Sequence, residues 1–256
     1  DDDTICFTSE GADEVSPDVY GKSWDDLPDD VKLRARLKGI SDYDDSGSWD
    51  RKSDRPWSSL TSRDERITGR WVDKPKQIWD AKASRYRLEG RSRWTPKGFQ
   101  ERFSGDTSSP TAAAASHKLT EALGMACGML SFSVDFSAAF FQSDVMESID
   151  PGRKLWIEVP EGDPAWDANQ KKARLLTKFV PGTKEAPLAW FRTVRRKLIE
   201  SGWEVSKLDG NRFYKRDGSG RLLACLPVHV DDGKGYVVPD HYANLEAELR
   251  KLFKIG

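Results

Sequence analysis

The sequence predicts an α+β fold in which a mostly antiparallel sheet is backed by helices. Three observations carry this. Residues 203–238 read as a hairpin series: Trp203–Ser206, Arg212–Arg216, an apolar run from Leu222 into Asp231, and a return strand at Tyr236-Val237-Val238. Turn chemistry at Asp217-Gly218-Ser219-Gly220 and Asp231-Asp232-Gly233 separates them. Amphipathic helices flank the series, one over Ala186–Ser201 with Gly202 as its C-cap and one starting at Pro239-Asp240 with Leu245, Leu249, Leu252 and Phe253.

The remaining elements follow in order. Residues 1–68 are rich in Asp, Ser, Gly and Trp without clear periodicity, apart from a helical stretch at Asp29–Leu37. They are expected to be an acidic, largely disordered or loosely packed segment, and 69–256 a single domain. Within that domain, Arg70-Trp71-Val72 and Tyr86-Arg87-Leu88 read as short strands, with a basic cluster from Lys82 to Arg102 between and after them. Ser109-Pro110 opens an Ala-rich helix to about Met129, with Leu119, Leu123 and Ala126 near one face. Leu130–Asp135 is an alternating strand, Ser137–Gln142 a short helix, and Leu155–Val159 and Ala173–Val180 are strands.

A net charge of -1 conceals strong segregation. Residues 1–50 hold 15 acidic and 5 basic side chains, 51–104 hold 7 and 15, 105–170 hold 10 and 3, and 171–221 hold 5 and 14. Two basic blocks around an acidic one suit a polyanion bound around a carboxylate centre. No apolar stretch approaches the roughly 18 residues that span a bilayer. Three scattered cysteines (Cys6, Cys127, Cys225) lack disulfide or zinc spacing and imply an intracellular protein. The Asp-Asp-Asp start without Met suggests a piece of a longer chain.

The chemistry concentrates at Asp231-Asp232, where an apolar strand ends in two adjacent carboxylates. Read alone, the pair is a hairpin turn or a cation site, because two carboxylates beside a buried strand do not desolvate cheaply without positive charge. Asp135 also ends an apolar strand. If the strands are neighbours they lie about 5 Å apart, so Asp135 and Asp231 would share a pair of divalent ions, the arrangement that activates a hydroxyl for in-line displacement at phosphorus.

Several ordered segments carry a family resemblance. Arg93-Trp94-Thr95-Pro96-Lys97-Gly98-Phe99-Gln100 is similar to a basic segment ending in Lys/Arg-Gly-Phe, and Ser109-Pro110 to a Ser-Pro-Val segment. Val134-Asp135-Phe136-Ser137-Ala138-Ala139-Phe140 resembles Met-Asp-Val-Lys-Thr-Ala-Phe. Leu155–Gly162 resembles Ile-Tyr-Met-Glu-Gln-Pro-Glu-Gly, and Gly182–Trp190 resembles Gly-Leu-Lys-Gln-Ala-Pro-Arg-Ala-Trp. His229-Val230-Asp231-Asp232 stands where Tyr-Val-Asp-Asp is usual. From about Gly69 onward the chain thus resembles the reverse transcriptase domain of Copia-type LTR retrotransposons, a part of the Pol polyprotein.

The resemblance implies a fingers-palm fold without its thumb, truncated at the C-terminus, and an RNA-directed DNA polymerase acting by two-metal nucleotidyl transfer. Mg²⁺, or Mn²⁺ in its place, would be the cofactor, and an RNA or DNA template with primer and deoxynucleoside triphosphates the partners. Asp135, Asp231 and Asp232 would be the catalytic carboxylates, Asp135 and Asp231 the metal ligands and Asp232 a third carboxylate of lesser direct contact, with the Phe136 carbonyl as a further metal ligand. Arg93, Lys97, Phe140 and Gly182 would meet the nucleotide, Phe140 at the position that excludes a ribose 2′-hydroxyl. Without the resemblance Phe140 reads first as helix-face packing, Arg93 and Lys97 read as well as a solvated basic surface, and Gly182 as a plain strand-to-helix break. Arg192, Arg195, Arg196 and Lys197 in one helix would lie near template phosphates or form a wet helix face, and His229 would pack near the primer end. Three positions depart from the family: His229 replaces Tyr, Pro181 precedes Gly182, and Pro227 removes a donor from the carboxylate-bearing strand, which implies an edge position or a local distortion. These departures, with the missing thumb, motivate a second reading, an inactive remnant that binds nucleic acid non-specifically.

Overall fold

The computed structural model describes residues 23–80 and 84–256, together with the backbone of Ile5–Cys6. Its elements are β1 (Ile5–Cys6), α1 (Asp29–Asp45), β2 (Trp49–Pro56), β3 (Glu65–Ile67), β4 (Gly69–Asp80), β5 (Arg85–Pro96), α2 (Ala114–Ala126), β6 (Leu130–Asp135), α3 (Met146–Ile149), β7 (Leu155–Glu158), β8 (Lys172–Leu176), α4 (Ala186–Glu200), β9 (Trp203–Val205), β10 (Arg212–Arg216), β11 (Leu222–His229), β12 (Asp232–Val237) and α5 (Tyr242–Leu252). Helices and mostly antiparallel sheets are mixed, as expected. The described residues form two units: Asp106–Ser143 and Pro187–Gly256 with β1, and 23–105 with Asp144–Ala186. Lys82 and nearly all of the chain before residue 23 lie outside the described residues.

The first unit is a six-stranded sheet in the order β1-β6-β12-β11-β10-β9, antiparallel except where β1 joins β6. Leu222–Val228 reads as an unbroken apolar run because both faces of β11 are covered, so alternation gives no polar side. Ala224, Leu226 and Val228 enter one core with Trp190, Val194 and Leu198 of α4 and Leu245 and Leu249 of α5. Cys225 turns to the other face, among Met129, Tyr236 and Val238, where burial pushes its thiol up to about 11.

Helix α2 lies along that second face, but not by the stripe the sequence suggests. Leu119 is 52% exposed, while Ser116, Thr120 and Gly124 are buried. Small residues at four-residue spacing let the helix approach the sheet, and a Cβ on Gly124 would overlap the Tyr236 ring. The Asp209 carboxylate fastens the helix start, accepting from the Ala113 amide (3.0 Å) and the Ser116 hydroxyl (2.5 Å).

Pro227 is not in an edge strand. β11 lies between β10 and β12, and Pro227 pairs with Arg212 of β10. Toward β12 the ladder pairs Ala224, Cys225, Val228 and His229 but skips residues 226 and 227. The missing N–H is therefore absorbed as a gap in one ladder. Gly233 and Gly235 face this stretch, and a Cβ on Gly233 would lie 2.8 Å from the Leu226 side chain and 3.0 Å from the Pro227 carbonyl oxygen.

The second unit holds a four-stranded sheet, β2-β8-β7-β3, and a separate two-stranded ribbon, β4-β5. Residues 23–68 are built into it rather than loosely packed: Leu27, Ala35, Ile40, Tyr43, Trp49, Leu60 and Ile67 are all buried. The predicted boundary at Gly69 falls inside the unit, because β2 pairs with β8 and β3 with β7. Helix α1 rests on β5, where the Tyr43 hydroxyl donates to the Trp94 carbonyl at 2.7 Å and a Cβ on Gly39 would sit 2.6 Å from the Ser92 carbonyl oxygen. Close approach and aromatic anchors replace an aliphatic stripe, so the segment carries little periodicity.

Charge is built into the core of this unit. The fully buried Arg174 guanidinium donates to both Asp54 oxygens (2.6 and 2.7 Å) and to Asp163 (2.8 Å), and lies 4.5 Å from the Trp49 ring centre. Burial alone would raise the Asp163 carboxyl, but Arg174 and the Ala165 amide hold it below its usual range. Replacing Arg174 by Ala leaves the buried Asp163 charge without its main partner, and urea denaturation is expected to show a loss of about 3–5 kcal/mol.

Candidate active site

The Asp231-Asp232 pair occupies a two-residue hairpin turn. His229 pairs with Asp232, so Val230 and Asp231 are the turn residues, and Val230 has φ of +55°. A β-branched side chain is disfavoured in that left-handed region, where Asn, Asp or Gly is the common choice. Both turn carbonyls are held from outside the hairpin. The indole N–H of buried Trp190 on α4 donates to the Val230 carbonyl at 2.5 Å, and the Phe136 amide donates to the Asp231 carbonyl at 2.7 Å. The Phe136 ring packs edge-on against Trp190 and Phe253, so one aromatic cluster positions the turn and the end of β6 together.

Register decides how the carboxylates meet. β6 and β12 are neighbours, as the sequence argument required, and Asp135 is directly opposite Asp232 rather than Asp231. Opposed residues in an antiparallel pair share a face, with Cβ atoms about 5 Å apart. Asp135, Asp231 and Asp232 are all exposed. His229 is exposed beside them, its Nδ1 3.6 Å from Asp232 Oδ1. The C-terminal residues run along the same strand end: the Gly256 amide donates to the Asp135 carbonyl at 3.0 Å, and Ile255 bridges to Phe136. Among the described residues no three His, Cys, Asp or Glu side chains are grouped as a metal site.

The other predicted residues are distributed as follows. In the first unit, Phe140 is half-buried against the main core in a single 3-10 turn, Ala139–Gln142, so its packing contact is present. Of the α4 cations, Arg192 and Arg196 are exposed, with Arg196 paired to Glu200 at 2.6 Å. Arg195 is half-buried, and Lys197 reaches the Leu252 carbonyl at 2.9 Å and sits 5.1 Å from the Phe253 ring centre, tying α4 to α5.

Arg93, Lys97 and Gly182 belong to the second unit. Arg93 is exposed on β5, and Lys97 opens a tight turn whose next residue, Gly98, donates to the Gly182 carbonyl at 3.0 Å. Gly182 has φ of +105°, and a Cβ there would lie 2.5 Å from the Pro96 carbonyl oxygen. Its glycine is required by backbone approaching backbone within the unit.

A network that the sequence did not reveal locks this junction. Lys184 donates its amide to Glu101 (2.8 Å) and its ammonium to the Glu101 and Phe103 carbonyls (2.9 and 3.0 Å). Arg153, its side chain only 8% exposed, meets Glu101 (2.9 Å), Glu65 (3.4 Å), Asp150 (3.6 Å) and Glu185. One guanidinium among four carboxylates leaves negative charge in excess. Burial pushes Glu185 up to about 7, with Glu101 and Asp150 adding to the rise and Arg153 opposing it. Glu101 is likewise raised, mainly by burial. The participants Glu65, Glu101, Arg153 and Glu185 lie far apart in the sequence, which gave no signal of the network.

A strand ending in a carboxylate, set beside a hairpin that carries two more, is an arrangement suited to phosphoryl-transfer chemistry. The family model described as "Reverse transcriptase (RNA-dependent DNA polymerase)" matches residues 57–246, well over half of the chain, and the chain belongs to that family. Comparison with curated proteins gives no match.

Two outcomes follow from this geometry. Replacing Val230 by Asn, which tolerates the left-handed region, is expected to raise unfolding free energy by about 1 kcal/mol in urea titrations. The raised Glu185 carboxyl contributes stability that is complete below its unfolded value, near pH 4.5, and is lost as pH rises through about 7. Thermal midpoints recorded from pH 5 to 8 should decline across that window, and Glu185→Gln should flatten this part of the profile.

Proposed function

We propose that the chain is the RNA-directed DNA polymerase domain of a Copia-type element, extending a primer on an RNA or DNA template from deoxynucleoside triphosphates. The observation that best supports this reading is the register that sets Asp135 opposite Asp232 at the end of the hairpin, with Asp231 in the adjoining turn. Hard oxygen donors suit Mg²⁺ or Mn²⁺, and a facing pair of exposed carboxylates fits an ion that keeps some waters and takes its remaining ligands from substrate phosphates. Asp135 and Asp232 would be the principal ligands, with Asp231 and the Phe136 carbonyl beside them. When bound, two such ions activate the primer hydroxyl and stabilise the leaving pyrophosphate.

In this reading the aromatic cluster of Phe136, Trp190 and Phe253 keeps the carboxylate-bearing turn fixed. Phe140, partly buried in the first unit, would be the residue that meets the sugar. Arg192, Arg195 and Arg196 approach template phosphates, while His229 lies near the primer end. Lys197 is withdrawn from that role by its bond to the Leu252 carbonyl.

The competing reading is a remnant that binds nucleic acid without polymerising, and the absence of a grouped carboxylate triad among the described residues favours it. Primer extension on poly-rA/oligo-dT with Mg²⁺ separates the two. The polymerase reading expects incorporation by the unaltered chain and a drop of at least about 10²-fold in Asp135→Asn and Asp232→Asn. Binding without incorporation by the unaltered chain, or equal incorporation by both variants, would overturn it.

A further inference from the structure

The end of β6 is held on both edges. On one edge Asp135 stands opposite Asp232, and the Phe136 amide reaches the Asp231 carbonyl. On the other edge lie residues 254–256, which follow α5 and run antiparallel to β6. Ile255 bridges to Phe136, the Ser137 amide donates to the Lys254 carbonyl at 3.0 Å, and the Gly256 amide donates to the Asp135 carbonyl at 3.0 Å. This register sets Gly256 opposite Asp135, so Asp232, Asp135 and Gly256 form one cross-strand row and share a face. A Cβ on Gly256 would lie 3.1 Å from Asp135 Oδ2 and 3.4 Å from Ser137 Oγ. Glycine in that place puts no side chain against the carboxylate.

The side chain of Gln142 clasps this segment. Its Oε1 accepts from the Lys254 amide at 2.7 Å, and its Nε2 donates to the Lys254 and Ser137 carbonyls, each at 2.8 Å. The side-chain amide thus pairs with Lys254 as a neighbouring strand would, and both of its N–H donors are used. The bond to Ser137 also closes the turn by which the chain leaves β6. That turn passes through Ala138, whose φ of +53° is a left-handed conformation that a Cβ disfavours. Packing contributes less at this point, because Lys254 is exposed and Ile255 is only partly covered. Without the Gln142 amide the segment would keep its two backbone hydrogen bonds to Asp135 and Ser137 and lose the clasp.

We propose that Gln142 is a positioning residue for Asp135. By clasping residues 254–256 against the end of β6, it fixes the strand end, and with it the carboxylate, where an Mg²⁺ or Mn²⁺ ion is to be held. This role rests on the proposed reading of Asp135 as a cation ligand. Gln142 itself touches neither ion nor substrate and acts through the backbone.

The test is Mn²⁺ titration of the full chain, read by the electron paramagnetic resonance signal of the free ion, with primer extension across Mg²⁺ concentrations beside it. Asp135→Asn marks the site and should remove Mn²⁺ binding there. Gln142→Met keeps the side-chain length and loses the hydrogen bonds to Lys254 and Ser137. It should weaken Mn²⁺ binding by about tenfold with native circular dichroism. In primer extension it should raise the Mg²⁺ concentration for half-maximal rate by a similar factor, while the rate at saturating Mg²⁺ stays within about twofold. A loss of stability alone would not produce that split. Where Gln142→Met does not fold, Gln142→Asn, one methylene short of Lys254, carries the same expectation. Mn²⁺ binding by the folded Gln142 variant equal to that of the unaltered chain, with Asp135→Asn deficient, would overturn the role of Gln142 and leave the cation reading standing. Mn²⁺ binding that is absent from the unaltered chain, or unchanged in Asp135→Asn, would overturn both together.

Discussion

The geometry of the candidate site depends on one strained turn and the two hydrogen bonds that hold it. Val230 adopts a left-handed conformation that its branched side chain disfavours, and nothing inside a two-residue turn compensates for that. The compensation comes from outside, because the Trp190 indole and the Phe136 amide occupy the Val230 and Asp231 carbonyls. Both donors are anchored in the main core through the Phe136–Trp190–Phe253 aromatic contacts. The position of three surface carboxylates is therefore set by buried aromatic packing, and core variants near Trp190 act on the site without touching it.

Much of this was legible in the sequence where local pattern and tertiary environment agree. β6 alternates and ends at Asp135 as expected, and α4 ends near Gly202, whose φ of +82° matches a C-cap. The neighbour relation of the two carboxylate strands was also anticipated, but the register was not: a shift of one residue exchanges Asp231 for Asp232 opposite Asp135, and sequence period alone does not fix it. α2 was misread because its buried face is made of Ser116, Thr120 and Gly124, chosen for closeness rather than hydrophobicity. Residues 23–68 differ from the expectation for a related reason, since their burial relies on Trp49, Tyr43 and the ion pairs Arg51–Asp163 and Arg174–Asp54 with distant segments.

Charge sorts into two populations that composition cannot separate. Arg174, Arg153 and Lys197 serve the fold: each is largely withdrawn from water and fixed by named carboxylates, carbonyls or rings. Arg70, Lys74, Arg85 and Arg91 have no acidic partner among the described residues and share one face of a ribbon. In the sequence, Arg174 and Lys197 count toward one basic block just as Arg70, Lys74, Arg85 and Arg91 count toward the other. Only cross-strand register and burial distinguish a structural guanidinium from one available to a ligand.

The same criterion can be applied to the acidic groups. In the Arg153 network, four carboxylates join four chain segments, so their mutual repulsion is offset by tertiary hydrogen bonds and by a proton retained on Glu185 near neutrality. Asp135 and Asp232 face each other across a strand pair, and the exposed His229 lies 3.6 Å from Asp232. Opposed carboxylates and a left-handed Val230 thus coincide at one end of one hairpin. A local cost of this kind is one that a bound charge would offset, and it supports the proposed reading of the turn.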